Sequence, residues 1–243
     1  MYKNQESILH KKIIAVLVFI AAAFAGCSST PTFQTGEDAD VTFDNLTMMD
    51  GTIMDAVWAR TDIDLTGYRK VMFAGVGVEY REVSGPYSGR KGSATARTTS
   101  NRTEFKLHPD TRAEFEEEIT AAFLEEMAAS DVFEIVEEAG PDVLLIRGGL
   151  LDVVSRVPPE HVGRSRIWLD SVGEATLILE IRSSESNSIY ARAVDRRAAG
   201  SQGQTYQASS TVTNRAEVRR LGRRWGKMLR DSLDTLLTEG LKE

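Results

Sequence analysis

Ile13 to Ala25 is an uncharged apolar run of 13 residues, set between Lys11-Lys12 and Cys27, the only cysteine in the chain. A positive leading segment, a short apolar run and small residues before a cut are the parts of a secretory signal. As a helix the run spans about 20 Å, against a hydrocarbon core of about 30 Å, so it is short for a transmembrane span. Exported chains fold where disulfides are permitted, yet Cys27 has no second cysteine to pair with. Whatever follows must be held by its core alone. About 200 residues remain behind the signal and a tether, enough for one domain with a real core.

Phe24-Ala25-Gly26-Cys27 resembles a lipobox. Small residues let the extended chain enter a narrow peptidase site between Gly26 and Cys27, and the thiol takes the lipid. One acyl chain holds a protein to a membrane only marginally, whereas two or three anchor it stably. The expected organisation is therefore a signal peptide at 1–26, a lipidated N-terminus with a flexible tether at 27–45, and a single periplasmic domain at 46–243. Ser28 stands where an aspartate favours retention at the inner membrane. It points to the outer membrane, facing the periplasm, with the inner membrane as the alternative.

Residues 1–26 carry three lysines and one glutamate, so their removal takes the formal charge from −7 to −9. An acidic mature protein is a poor non-specific ligand for nucleic acid. No nucleic-acid partner is expected. Partners are instead the membrane, through lipid on Cys27, and an envelope protein.

Along the mature chain, residues 28–45 are polar and read as the tether. Residues 53–60 fit a short strand or packed segment. Val71, Phe73, Val76 and Val78 mark a strand over 69–80. Residues 81–104 are rich in Gly, Ser, Thr and Arg and read as an exposed, mobile loop or irregular hairpin, whose Arg81, Arg90, Lys91, Arg97 and Arg102 are first of all solvated loop residues and, as the alternative, an anion or partner contact. Pro109 opens a helix whose stripe is Phe115, Ile119, Ala122, Phe123 and Met127, expected to end near Ser130. Short and long strands follow at 132–137 and 143–155, where Gly148-Gly149 marks a bulge or close backbone approach. From Gly173 to Arg182 apolar and polar residues alternate, and 189–197 returns as the second arm of a hairpin.

A final helix is expected from about Asn214, as N-cap, to Thr238, with Gly240 as terminator. Val218, Leu221, Trp225, Leu229 and Leu233 belong to its buried stripe. Arg215, Arg219, Arg220, Arg223, Arg224, Lys227 and Arg230 crowd its first half, a placement that opposes the helix dipole. Two explanations stand side by side: ion pairing with the acidic first helix or solvation, and docking of Arg219, Arg220, Arg223, Arg224 and Lys227 onto an acidic partner or lipid headgroups.

Catalytic signatures are scarce. His10 goes with the signal, His108 precedes a helix, and His161 sits in a Pro-flanked loop. There is no HExxH, no GxSxG and no phosphate-binding glycine loop. Asp142, Asp152, Asp170, Glu174 and Glu180 are carboxylate candidates by type only. No enzyme activity, cofactor or metal is expected.

Asp64 to Tyr80 (DLTGYRKVMFAGVGVEY), Gly140 to Val153 (GPDVLLIRGGLLDV), Glu174 to Ala198 and the Trp225-bearing final helix together resemble the bacterial lipoproteins called domain of unknown function 3313. The resemblance covers about residues 50–238 and brings no catalytic residues with it. The expected fold is α/β of the α+β type: a mixed, mostly antiparallel sheet of about five strands with two long helices on one face. The expected function is a non-enzymatic binding or scaffold module of the cell envelope. The alternative is a small-ligand carrier or hydrolase with a pocket beside the sheet, which a deep apolar cavity with converging polar groups would favour.

Overall fold

The computed structural model describes residues 30–85, 87–88, 104–159, 167–200 and 206–240. Strict alternation decides the centre of the sheet. In Ser171–Ser183 the residues Ala175, Leu177, Leu179 and Ile181 are buried, while Glu174, Thr176, Ile178, Glu180 and Arg182 between them are half-buried. A period of two puts the first set on one face and the second on the other. The strand pairs antiparallel on one side with Ile189–Gly200 and on the other with Val143–Ser155.

Numbered along the chain, the strands are β1 (Thr32–Phe33), β2 (Thr47–Asp50), β3 (Ala56–Ala59), β4 (Lys70–Tyr80), β5 (Glu134–Ile135), β6 (Val143–Ser155), β7 (Trp168–Leu169), β8 (Ser171–Ser183), β9 (Ile189–Gly200) and β10 (Gln207–Ala208). The helices are α1 (Pro109–Met127) and α2 (Thr211–Glu239). Eight strands form one mixed sheet in the order β1-β2-β3-β9-β8-β6-β4-β5, and β7 with β10 makes a separate two-stranded ribbon. β4 runs parallel to β6 and β5, and the remaining pairs are antiparallel. The α+β class and the two helices on one face agree with expectation, but the sheet is wider than about five strands.

The extra strands lie at the edges. Residues 32–45, read from composition as tether, belong to the folded unit. Thr32 and Phe33 pair with Asp50 and Met49, and the Asp44 carboxylate accepts from Arg192 at 2.8 Å. Leu46, just beyond, is fully buried. α1 ends at Met127 rather than near Ser130, and Ser130 Oγ accepts instead from the Val132 backbone N–H. α2 begins earlier than expected, because Ser210 and Thr213 form a reciprocal capping box. Gly240, in the left-handed region at φ 72°, ends it as expected.

Both helices cover the face that carries Leu177 and Leu179. Phe73 of β4 meets Phe123 edge to face, and Trp225 of α2 reaches Asp195 of β9. The two helices run parallel. Arg215 pairs with Glu114, Arg219 with Glu118, Arg223 with Glu125 and Arg230 with Glu126, both series rising together along the chain. Gly222 and Gly226 set their spacing. A Cβ on Gly222 would lie 2.6 Å from the Ile119 carbonyl oxygen, and one on Gly226 2.6 Å from that of Phe123. Each contact is to backbone, which cannot yield as a side-chain tip can.

Asp195 is 0 % exposed and Trp225 1 %. A buried carboxylate survives only when its oxygens are fully bonded. Asp195 accepts from the Trp225 indole N–H at 2.7 Å, from Arg197 Nη2 at 2.9 Å and from the Asp55 backbone N–H at 3.3 Å. That carboxylate ties α2, β9 and the approach to β3 together.

Two stability predictions follow from these contacts. Gly222→Ala and Gly226→Ala each gain about 1 kcal/mol of helix propensity. They nonetheless lower the urea midpoint, because displacing the neighbouring backbone costs about 1–3 kcal/mol in an overpacked seam. An unchanged or raised midpoint would contradict backbone-limited packing. Asp195→Ala strands Arg197 beneath the helix and costs about 3–5 kcal/mol. Trp225→Phe removes one donor and costs about 1–3 kcal/mol, with both measured by denaturant unfolding.

Candidate functional site

Gly26 and Cys27, the cleavage and lipidation positions, lie outside the described residues, as do Arg90, Lys91, Arg97, Arg102 and His161. The cationic residues of α2 are described, and they are not idle. Arg219 pairs with Glu118 and Arg223 with Glu125 across the helix seam. Arg220 pairs with Glu217 and Lys227 with Asp231 within α2. Arg224 also has an interaction partner, and burial together with the charge of Arg197 lowers its pKa. Of the two explanations for the basic half-helix, ion pairing is what the structure displays, with the acidic first helix for Arg219 and Arg223 and within α2 for Arg220 and Lys227.

The carboxylate candidates separate in space. Asp142 pairs with Lys70 at 3.0 Å, and Glu180 sits between Arg182 and Arg192 on the sheet face away from the helices. Asp170 accepts from the Ser171 backbone N–H. Asp152 and Glu174 come together, and a bulge brings them there. Leu151 pairs with Thr176 and Val154 with Glu174, so β6 spends three residues where β8 spends two. Asp152 occupies the extra position in the left-handed region, at φ 58°. Aspartate tolerates that region better than most side chains, but at some strain. Of the bulge or close backbone approach expected at Gly148-Gly149, the close approach is present, since a Cβ on Gly149 would lie 3.2 Å from the Gly77 carbonyl oxygen.

Around this bulge three arginines and three carboxylates interlock. Arg81 holds Asp152 with two hydrogen bonds, one of them Nε to Oδ1 at 2.6 Å, and reaches Glu174 at 3.0 Å and Glu104 at 2.5 Å. Arg196 donates to Asp152 at 2.8 Å and to Glu174 at 2.5 Å, and Arg156 donates to Glu174 at 2.6 Å. The hydrogen bonds from Arg81 bring the Asp152 carboxyl down to about 2, against the smaller opposing effect of burial. Burial pushes Glu174 up, but hydrogen bonds from Arg196 and Arg81 and the charge of Arg156 outweigh it and leave it below its ordinary value.

Beside the cluster, on the helix side of the sheet, a cleft of about 220 Å³ opens between the first turns of α1 and α2 and the strand ends of β6 and β8. Parallel helices place both first turns at one end, which is why Thr111 and Thr211 share its rim. Its floor is Val153, Val154, Val172, Ala175, Ala199 and Leu221, all buried. Its rim is polar, with the Glu114–Arg215 pair at 2.7 Å and the half-buried Asn214. Ser155 also lines it, its hydroxyl engaged with Ser88 Oγ at 2.7 Å and accepting from the Val157 N–H. Sequence reasoning named Glu174 and, in its alternative reading, a pocket beside the sheet, but not the lining, which comes from five elements far apart in the chain.

His108, the only histidine among the described residues, serves as the N-cap of α1, its Nδ1 accepting from the Asp110 N–H. The described residues hold no cluster of three or more His, Cys, Asp or Glu arranged to bind a metal ion. Among them no helix is long and apolar enough to cross a membrane.

The fold is similar to several solved structures at low identity. PelC from Paraburkholderia phytofirmans, solved as a dodecamer, is 10% identical over 72% of this chain and 95% of that one, with a TM-score of 0.33. The hypothetical protein CT253 from Chlamydia trachomatis is 11% identical over 70% of this chain and 98% of that one, with a TM-score of 0.33. Protein XCC0632 from Xanthomonas campestris, of the DUF330 family, is 11% identical over 71% of this chain and 86% of that one, with a TM-score of 0.32. No curated protein matches the sequence. The family model described as protein of unknown function (DUF3313) matches residues 43–228, most of the chain, and the protein belongs to that family.

Proposed function

We propose that this protein is a lipid-anchored, non-enzymatic binding module of the cell envelope, held at the outer membrane through Cys27, whose domain takes its ligand in the cleft between the helix N-termini. The cleft carries the proposal. It combines a buried apolar floor with a polar rim on a rigid sheet-and-helix frame, the arrangement typical of small-ligand sites. The arginines of α2 are engaged with carboxylates of the same chain, which favours the cleft over that face as the binding surface.

Binding rather than catalysis is supported by the state of the polar groups nearby. A general acid needs a pKa near the working pH. The carboxyl of Asp152 is held at about 2 and that of Glu174 below its ordinary value, so both stay ionised at neutral pH. The Ser155 hydroxyl is committed to Ser88, and the His108 Nδ1 to a helix cap.

The anchor is tested by mass analysis of protein from its native host. The expected product begins at an acylated Cys27, and Cys27→Ser keeps residues 1–26 and takes up no labelled acyl chain. An unmodified amino end in the wild type would remove the envelope attachment. Binding is tested by native mass spectrometry of the same preparation. A small molecule should leave with the wild type and be missing from Val218→Trp, which fills the cleft.

The arginine-held cluster has its own signature. A carboxyl whose folded pKa lies below its unfolded value stabilises the fold at pH above the unfolded value, and that stability is lost as pH falls through the folded one. For Asp152 the window runs from about 4 down to about 2. Asp152→Asn should flatten the fall in urea midpoint across that window and leave the profile above it parallel to wild type.

A further inference from the structure

We infer that the occupant of the cleft is the hydrocarbon tail of a single-chain amphiphile, a proposal that rests on the binding-module reading above. Three observations fix the class. The first is polarity. The cleft passes from a floor of Val153, Val154, Val172 and Leu221, each less than a tenth exposed, to a rim holding Thr111, Asn214 and the Glu114–Arg215 pair. An apolar end and a polar end in that order match a tail and a head.

The second is size. A volume of about 220 Å³ exceeds the roughly 150 Å³ cavity that holds benzene, and falls short of the roughly 300 Å³ at which drug-sized pockets begin. One chain fits where two chains or a steroid-sized ring system do not. The third is charge. Glu114 and Arg215 neutralise each other, as do Glu118 and Arg219, so the rim offers no net charge to a free anion. A head that is zwitterionic or uncharged suits it best, and the affinity comes from the tail.

The small residues of the sheet are what keep this space open. Ala175 and Ala199 stand on the floor, whereas further along the same face Leu177, Leu179 and Ile181 fill the space beneath the helices. Gly173 is constrained for a different reason, because a Cβ there would meet the Val154 carbonyl oxygen of the neighbouring strand.

The test uses the full-length protein in membranes of its host. A single-chain phosphocholine carrying a photoreactive group at the end of its tail is crosslinked, and the labelled peptides are mapped. Label is expected on the peptides bearing Phe115 and Val218. Competition by unlabelled homologues should strengthen about fourfold for each added methylene and then level off once the tail fills the cleft. Val218→Trp and Thr111→Trp should each cut labelling on the order of tenfold while the melting curve shows a folded domain. Two variants on different helices guard against a local folding defect. Label spread evenly over the surface and unaltered in both variants would overturn the proposal. A co-purifying small molecule that Val218→Trp loses but that no single-chain competitor displaces would overturn the ligand class while leaving the cleft as a binding site. Absence of both label and co-purifying molecule would remove the cleft as a site altogether.

Discussion

Gly222 and Gly226 hold α1 and α2 at a distance set by backbone rather than side chains, and much of the molecule depends on that contact. With a Cβ excluded by the carbonyls of Ile119 and Phe123, the helices lie close enough for their flanking charges to meet. Parallel helices set like dipole ends side by side, which is unfavourable. The seam offsets this with acidic α1 against basic α2, through Glu114–Arg215, Glu118–Arg219 and Glu125–Arg223. Such exposed pairs contribute modestly one by one. Their value here lies in fixing register and direction. They also account for cations in the first half of α2, a placement that local helix stability alone would reject.

The central elements were legible because their patterns are long. The alternation of β8 and the stripe of α2 each repeat often enough to identify the buried face, and the structure buries Leu177, Leu179 and Ile181 in the one and Leu221, Trp225, Leu229 and Leu233 in the other, with Val218 half-buried. The edge was not legible. β1 and β2 contribute two and four residues, too few for a period to show, and β1 sits in a polar stretch that composition assigns to a tether. They join the sheet by backbone pairing, which leaves no mark on side-chain pattern. The start of α2 was missed for a related reason. Ser210 caps it with Thr213 at the third position, where the usual signature has Glu or Gln.

The site was less legible than the fold. Asp152 and Glu174 could be named by type, but what unites them is an unpaired residue in β6, and no residue pattern announces that aspartate will take φ 58°. The basic half of α2 was visible at once, and its opposition to the dipole was a true signal, though the partner is the adjoining helix. Gly222 and Gly226 were equally visible as two small residues one turn apart. Inside a helix dense with arginine nothing in the residue pattern marks them as the closest contact of the seam, because that contact is to the backbone of another helix.

The same geometry explains why an apolar surface faces the space at one end of the domain. The seam brings both first turns to that end, where Ala175 and Ala199 leave the floor low, while Leu177 and Leu179 fill the next layer. Larger residues at those two positions would bury more apolar area and stabilise a chain that has no disulfide to rely on. Natural cores do not need perfect filling, yet an open apolar floor remains in contact with water unless something occupies it. An occupant with a hydrocarbon end removes that contact and adds stability by mass action whenever its concentration exceeds its dissociation constant. Larger side chains at Ala175 and Ala199 would gain the same burial without any ligand, which is why those two small residues decide how much room the cleft has.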